Sequence, residues 1–130
     1  MGKREILFRG KRVDNGEWVE GGFFENSEEE GLVTYIFAHI GGAIPAFPES
    51  VGQFSGFYGK NGVKIFDGDI IKYVVRKRTK DHTYITKVIH KNGFVPLENQ
   101  SIFMNMAFLS LVVLQIEVIG NIYENPELLK

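Results

Sequence analysis

Apolar residues in this chain come in short runs, cut by glycine-bearing turns and by clusters of charge. Lys3 to Arg12 alternates imperfectly, with Ile6 and Phe8 on one face and Leu7 and Arg9 on the other. Asp14-Asn15-Gly16 follows, and Glu17-Trp18-Val19-Glu20-Gly21-Gly22-Phe23-Phe24 returns as a partner strand. An Asn-Gly between two such runs predicts a hairpin, because glycine takes a positive φ at no steric cost and asparagine tolerates one. Glu25 to Gly31 reads as a polar connection whose acidic run is a solvated loop face; binding of a cation or a partner is the lesser reading. Leu32 to Ala38 is β-branched and aromatic, hence a strand. His39 to Pro48 holds Gly41, Gly42, Pro45 and Pro48 among apolar residues, which predicts an irregular loop packed on the body, or a lid.

Val51 to Tyr73 is the stretch that organises the rest. Two turn signals, Lys60-Asn61-Gly62 and Asp67-Gly68-Asp69, divide it and let a sheet fold back on itself before a long central strand starts at Asp69. Ile70-Ile71-Lys72-Tyr73-Val74-Val75 is its most strand-like part, and the strand reads to Arg78. Arg76 to His82 is a charged excursion, Thr83 to His90 returns, Lys91-Asn92-Gly93 turns, and Phe94 to Leu97 completes an antiparallel meander. Asn99 to Leu114 fits two templates. Ile102, Phe103, Met106, Leu109 and Val113 make a helical stripe, whereas Leu111 to Leu114 resembles a buried strand, and periodicity does not separate them. One or two helical turns are assigned around Ser101 to Phe108. Gln115 to Tyr123 is a closing strand ended by Glu124-Asn125-Pro126, with Glu127-Leu128-Leu129 as an apolar tail that docks. The fold expected is mainly β, with seven or eight short strands. They form a small antiparallel β-barrel or two packed sheets, with at most a short helix.

Composition sharpens this in three ways. The 130 residues fit one domain, 1–130, and 44% hydrophobic against 24% charged residues is the balance of a globular chain. Eleven Phe favour sheet over helix bundle. A net charge of -1 offers no global field for nucleic acid or an anionic membrane, so a polyanion site has to be a local patch. The absence of cysteine removes disulfides, thiolate-held metals and thiol nucleophiles, and fits a reducing cytosol. The N-terminal apolar segment is too short for a signal sequence, and the most apolar window, Ile102 to Ile119, is broken by Asn105, Ser110, Gln115 and Glu117, so no membrane association is expected.

Candidate chemistry is sparse. His39, His82 and His90 lack ligand spacing, although His82 and His90 would meet if they faced each other across a hairpin; exposed positions beside turns is the stronger reading, and no metal is expected. Asp67 and Asp69, at i and i+2, would share a side of an extended segment and, with Glu49 or Glu117, could pair for acid–base work. Turn chemistry explains them better. Ser55 lies outside any nucleophile-elbow pattern, and no phosphate-loop or dinucleotide fingerprint exists, so no cofactor and no catalytic residue is expected. The notable electrostatic feature is Arg76-Lys77-Arg78-Thr79-Lys80, reinforced by Lys72 and Lys87 and flanked by Tyr73 and Tyr84. At a hairpin tip Arg76, Lys77, Arg78 and Lys80 form a candidate polyanion site with two stacking aromatics nearby. Asp81 offsets it, and edge loops are commonly lysine-rich to block aggregation.

Three segments, Arg4 to Lys11 with Gly16 to Gly21, Val51 to Gly56 with Asn61 to Ile71, and Glu117 to Leu129, together resemble the YopX family of phage and prophage proteins. The resemblance spans both ends and the middle but not Tyr73 to Ile116. It implies a small phage-encoded or prophage-encoded protein of the bacterial cytoplasm, of unknown function, and supplies no catalytic residue. The leading expectation is a non-enzymatic accessory protein acting as an interaction module on itself or on another phage or host protein. Homo-oligomerisation agrees with the surplus of apolar residues. A nucleic-acid-binding module using Arg76 to Lys80 is the alternative, and a carboxylate enzyme at Asp67 and Asp69 ranks below both.

Overall fold

A computed structural model describes residues 6–39, 41–90, 94–96 and 113–129. Among the described residues ten strands run in chain order: β1 (Phe8–Lys11), β2 (Trp18–Glu28), β3 (Gly31–Ala38), β4 (Gly42–Pro45), β5 (Gly52–Tyr58), β6 (Lys64–Phe66), β7 (Asp69–Lys77), β8 (Lys80–His90), β9 (Phe94–Pro96) and β10 (Val113–Asn121). They form two antiparallel sheets, ordered β4-β3-β2-β1-β5-β6 and β10-β7-β8-β9. The expected mainly β architecture is present as two sheets, neither closed into a barrel. Helix among the described residues is limited to single 3-10 turns at Pro48–Ser50, Lys60–Gly62 and Pro126–Leu129. The short helix expected around Ser101 to Phe108 and the turn at Lys91 to Gly93 lie outside the described residues. Two compact units divide the chain inside β5, at Met1–Phe54 and Ser55–Lys130.

In the first unit the predicted N-terminal hairpin forms as its turn residues dictate. Gly16 sits at φ 74°. Asn15 Oδ1 accepts from the Glu17 amide at 2.9 Å, and Arg12 clamps Asp14 through two bonds of 2.9 and 2.7 Å. Asp14 of that pair is exposed and Arg12 half-buried. The pairing holds Asp14 below its usual range and Arg12 above, chiefly through the side-chain hydrogen bonds. The buried apolar residues described in this unit are Ile36, Ala38, Ile44, Ala46 and Phe54. Gly10 permits the close approach: a Cβ there would stand 2.9 Å from Ile36 Cγ1 and 3.0 Å from Ala46 Cβ.

Two expectations fail here for physical reasons. Glu25 to Glu28 is not a loop but continues β2, pairing Glu25 with Thr34, Asn26 with Val33, Ser27 with Leu32 and Glu28 with Gly31. Polar residues hold a ladder when the partner strand is two residues away in sequence, because little chain entropy is lost in closing it. Within His39 to Pro48 a four-residue strand, β4, survives its glycines and prolines. It is an edge strand on β3, where a terminal Pro45 sacrifices no inner ladder bond.

In the second unit β7 is the inner strand expected, flanked by β10 and β8. Ile65, Ile71, Tyr73 and Val88 are fully buried, with Phe57, Val75, Tyr84, Ile116 and Val118 packed around them. Burial of each large apolar side chain contributes about 1.5–3 kcal/mol. Both turn signals behave as read: Asn61 and Gly62 take φ 63° and 74°, and Gly68 takes 94°. The terminal motif closes the unit. Asn121 Oδ1 accepts from the Glu124 amide at 2.8 Å, and its carbonyl accepts from the Asn125 amide at 2.7 Å. Asn125 Oδ1 accepts from the Asn121 amide at 3.2 Å. The Ile122 amide then donates to Gly68 O at 2.8 Å, joining the terminal motif to the Asp67-Gly68 turn.

Candidate functional site

The basic cluster lies where the sequence placed it, on the β7–β8 hairpin, but the excursion is shorter than expected. The strands continue to Lys77 and resume at Lys80, leaving a two-residue turn of Arg78 and Thr79. Register sets Lys77 opposite Lys80 and Arg76 opposite Asp81, while Arg78 and Lys80 are exposed at the tip. Tyr73 is fully buried, Tyr84 packs on the same core, and their rings stack on each other with centroids 5.4 Å apart. The tip is therefore a cationic point without an aromatic platform.

Asp67 and Asp69 do not flank an extended segment, because the Asp67-Gly68 turn intervenes. Asp69 is 1% exposed and its Oδ2 accepts from the Phe66 amide at 2.7 Å. Asp67 is half-buried. The Asp69 carboxylate thus fastens the turn that launches β7, as its turn chemistry implied. His82 and His90 do not face each other: both are exposed on β8, about 26 Å apart along one strand at 3.3 Å per residue.

What the sequence reading missed is the outer half of the β2–β3 hairpin. Every residue from Gly22 to Leu32 is exposed, including Phe23 and Phe24, and Leu32 is 64% and Phe37 58% exposed. β1 pairs with β2 only as far as Gly21, and β4 pairs with β3 only from Tyr35 onward. Among the described residues, no strand covers the outer edge of β2 from Gly22 to Glu28. The result is an arm whose β2 side is exposed along its length, while Thr34 and Ile36 opposite it on β3 are buried. Phe23 leans on Phe8 (centroids 5.4 Å) and Phe24 stacks on Tyr35 across the other face (5.1 Å, 14°). Gly21 is required by the backbone crossing, since a Cβ there would collide with the Phe37 carbonyl. Gly22 stands opposite Phe37 and has no side chain to cover it.

At the arm's tip Glu28 accepts from Tyr35 Oη at 2.5 Å and from Asn26 Nδ2 at 3.2 Å. The Tyr35 bond, then the Asn26 bond, hold the Glu28 carboxyl below its ordinary value, and the same contact raises the Tyr35 phenol. Glu25, Glu29 and Glu30 are exposed around it, and no Lys or Arg occurs between Gly21 and Leu32. A signal for the arm existed: adjacent Phe23 and Phe24 must point to opposite faces, so a sheet buried on one side cannot hide both.

A family model for YopX protein matches residues 7–130. The chain belongs to the YopX family. Over 98% of this chain and 100% of that one, the fold is similar to the crystal structure of protein EF1440 from Enterococcus faecalis, with a TM-score of 0.57 and 23% identity. No curated protein matches the chain. The residues that carry the family resemblance make turns and clasps: Gly68 and Asn121 to Asn125 hold one another, and Asp69 holds Phe66. In this YopX protein they account for architecture, while the arm and the basic tip lie in segments with no motif of their own.

Proposed function

We propose that this YopX protein is a non-catalytic interaction module whose docking element is the β2–β3 arm. The single observation that supports it is the exposure of Phe23, Phe24, Leu32 and Phe37 on a hairpin with open edges. Exposed large apolar groups cost solubility, and the register puts Phe24 with Phe37 on one face and Phe23 with Leu32 on the other, so a partner can gain apolar area on either. Open strand edges add backbone donors and acceptors for a partner to satisfy. Family resemblance suggests the setting, a phage or prophage accessory protein working in the cytoplasm of the bacterial host. The test is a photo-crosslinking amino acid at Phe24, with a second at the exposed Glu127 on the terminal turn as control. Efficient crosslinks from position 24 alone support the reading; equal or absent crosslinks at the two positions overturn it.

A second reading, nucleic-acid binding, draws on the exposure of Arg78 and Lys80 at the β7–β8 tip. It predicts retention on single-stranded or duplex DNA that falls steeply with salt, and a flatter dependence after replacing Arg76, Lys77 and Arg78 with Ala. No gel shift at low salt ends it. Catalysis at Asp67 and Asp69 gains no support from a buried carboxylate already bonded to a backbone amide.

A further inference from the structure

We infer that the partner of the arm is a second copy of this chain, which offers the basic tip of its β7–β8 hairpin. This rests on the arm being a docking element and names what it docks on. The arm carries Glu25, Glu28, Glu29 and Glu30 with no basic residue from Gly21 to Leu32, so two arms packed side by side repel. A partner surface must be cationic. The chain holds a matching one: Arg76, Lys77, Arg78 and Lys80 within five residues, at the tip of another hairpin that exposes Arg78 and Lys80.

Fifteen basic and sixteen acidic residues nearly cancel, yet these two hairpins concentrate opposite signs. That pattern steers copies together without steering a copy toward its like. The apolar residues beside the acids, Phe23, Phe24 and Leu32, supply the area that charge alone lacks, because exposed ion pairs contribute little. The contact is heterologous, arm to hairpin, so each copy gives one and receives one. Such contacts propagate into a closed ring, or into an open chain when the rotation does not close.

The experiment exchanges the charges. One variant carries Glu25→Lys, Glu29→Lys and Glu30→Lys; the other carries Arg78→Glu and Lys80→Glu. Both sets are exposed and leave the Glu28–Tyr35 bond in place, and circular dichroism with thermal melts checks that each variant folds. Mass is measured by light scattering at low salt, where the subunit is 14.7 kDa. The native chain is expected to form multimers that dissociate toward about 1 M salt, where screening falls to roughly 3 Å.

Each variant alone is expected to weaken association at least about tenfold. Mixing the two in equal amounts is expected to restore the multimer, because lysine arms then meet glutamate tips and glutamate arms meet native tips. A native chain that stays monomeric at low salt overturns the inference. So does a multimer that ignores both substitutions, or a mixture that fails to recover. Loss in the arm variant without loss in the hairpin variant also overturns it, while leaving the arm as a docking element for a different partner. Crosslinks from position 24 to another protein give that same separation.

Discussion

The two long hairpins, β2–β3 and β7–β8, use the same aromatic and β-branched residues to opposite ends. On β7–β8, Ile71, Tyr73, Tyr84 and Val88 converge on one buried cluster, and β10 covers the outer side of β7. On β2–β3, Phe23 and Phe24 alternate onto two faces and both stay exposed, Phe23 leaning on Phe8 and Phe24 on Tyr35. The difference is third-strand cover rather than composition. A hairpin alone cannot bury both of its faces, and two strands in isolation are marginal in water. One of these hairpins is therefore enclosed by its neighbours, and the other keeps aromatic rings in solvent.

Substitutions sharpen the contrast. Ile71→Ala is expected to cost about 2–5 kcal/mol in urea unfolding, because it leaves a cavity in the buried cluster. A loss as small as that of a surface change would mean the cluster is loosely packed. Asp69→Ala removes the acceptor of the Phe66 amide and is expected to cost about 1.5–3 kcal/mol. An unaltered urea midpoint would show the turn stands without its carboxylate. Gly120→Ala drives a methyl to 2.7 Å from Asn125 Oδ1 and 2.9 Å from Leu128 Cδ1. It should cost about 1–3 kcal/mol and speed proteolysis at the terminal turn.

The arm should answer differently. Phe37→Ser and Phe24→Ser are each expected to shift stability by no more than about 0.5 kcal/mol, while reducing crosslinking from the arm. A large destabilisation would show those rings to be structural. The smallest effect is expected from pH. The Glu28 carboxyl lies below its ordinary value and the Tyr35 phenol above its own, each chiefly through the bond they share. Their contact therefore contributes between those ranges. It is lost as pH falls through the lowered carboxyl value, and again as pH rises through the raised phenol value. Proton titration of Tyr35 ring resonances, with Glu28→Gln as comparison, reads both ends; a flat trace across both ranges breaks the assignment.

Legibility in the sequence followed locality. Asp14-Asn15-Gly16, Lys60-Asn61-Gly62 and Asp67-Gly68-Asp69 were readable because glycine and asparagine fix backbone angles within a few residues, and Gly16, Asn61, Gly62 and Gly68 sit at the positive φ values those types tolerate. The number of strands was underestimated, since β4 and β6 are too short to show periodicity and exist through pairing with neighbours. Tyr73 and Tyr84 were legible as strand residues but not as buried ones. Their face is decided by which side β10 and the Ile65 segment occupy, and alternation along one strand does not carry that. The arm escaped for the converse reason: its polar stretch looks like a loop, and its exposure depends on strands that stop short.

Arg78 occupies a left-handed backbone position, φ 59°, in a tight turn where Asn or Gly would sit with less strain. Relaxing that torsion by such a replacement would firm up the hairpin and, in the same stroke, erase a charge from its apex. Selection for thermal resilience and selection for a charged apex therefore pull in contrary directions at this one codon. Laboratory evolution under heat, with no demand for association, would be drawn to it early.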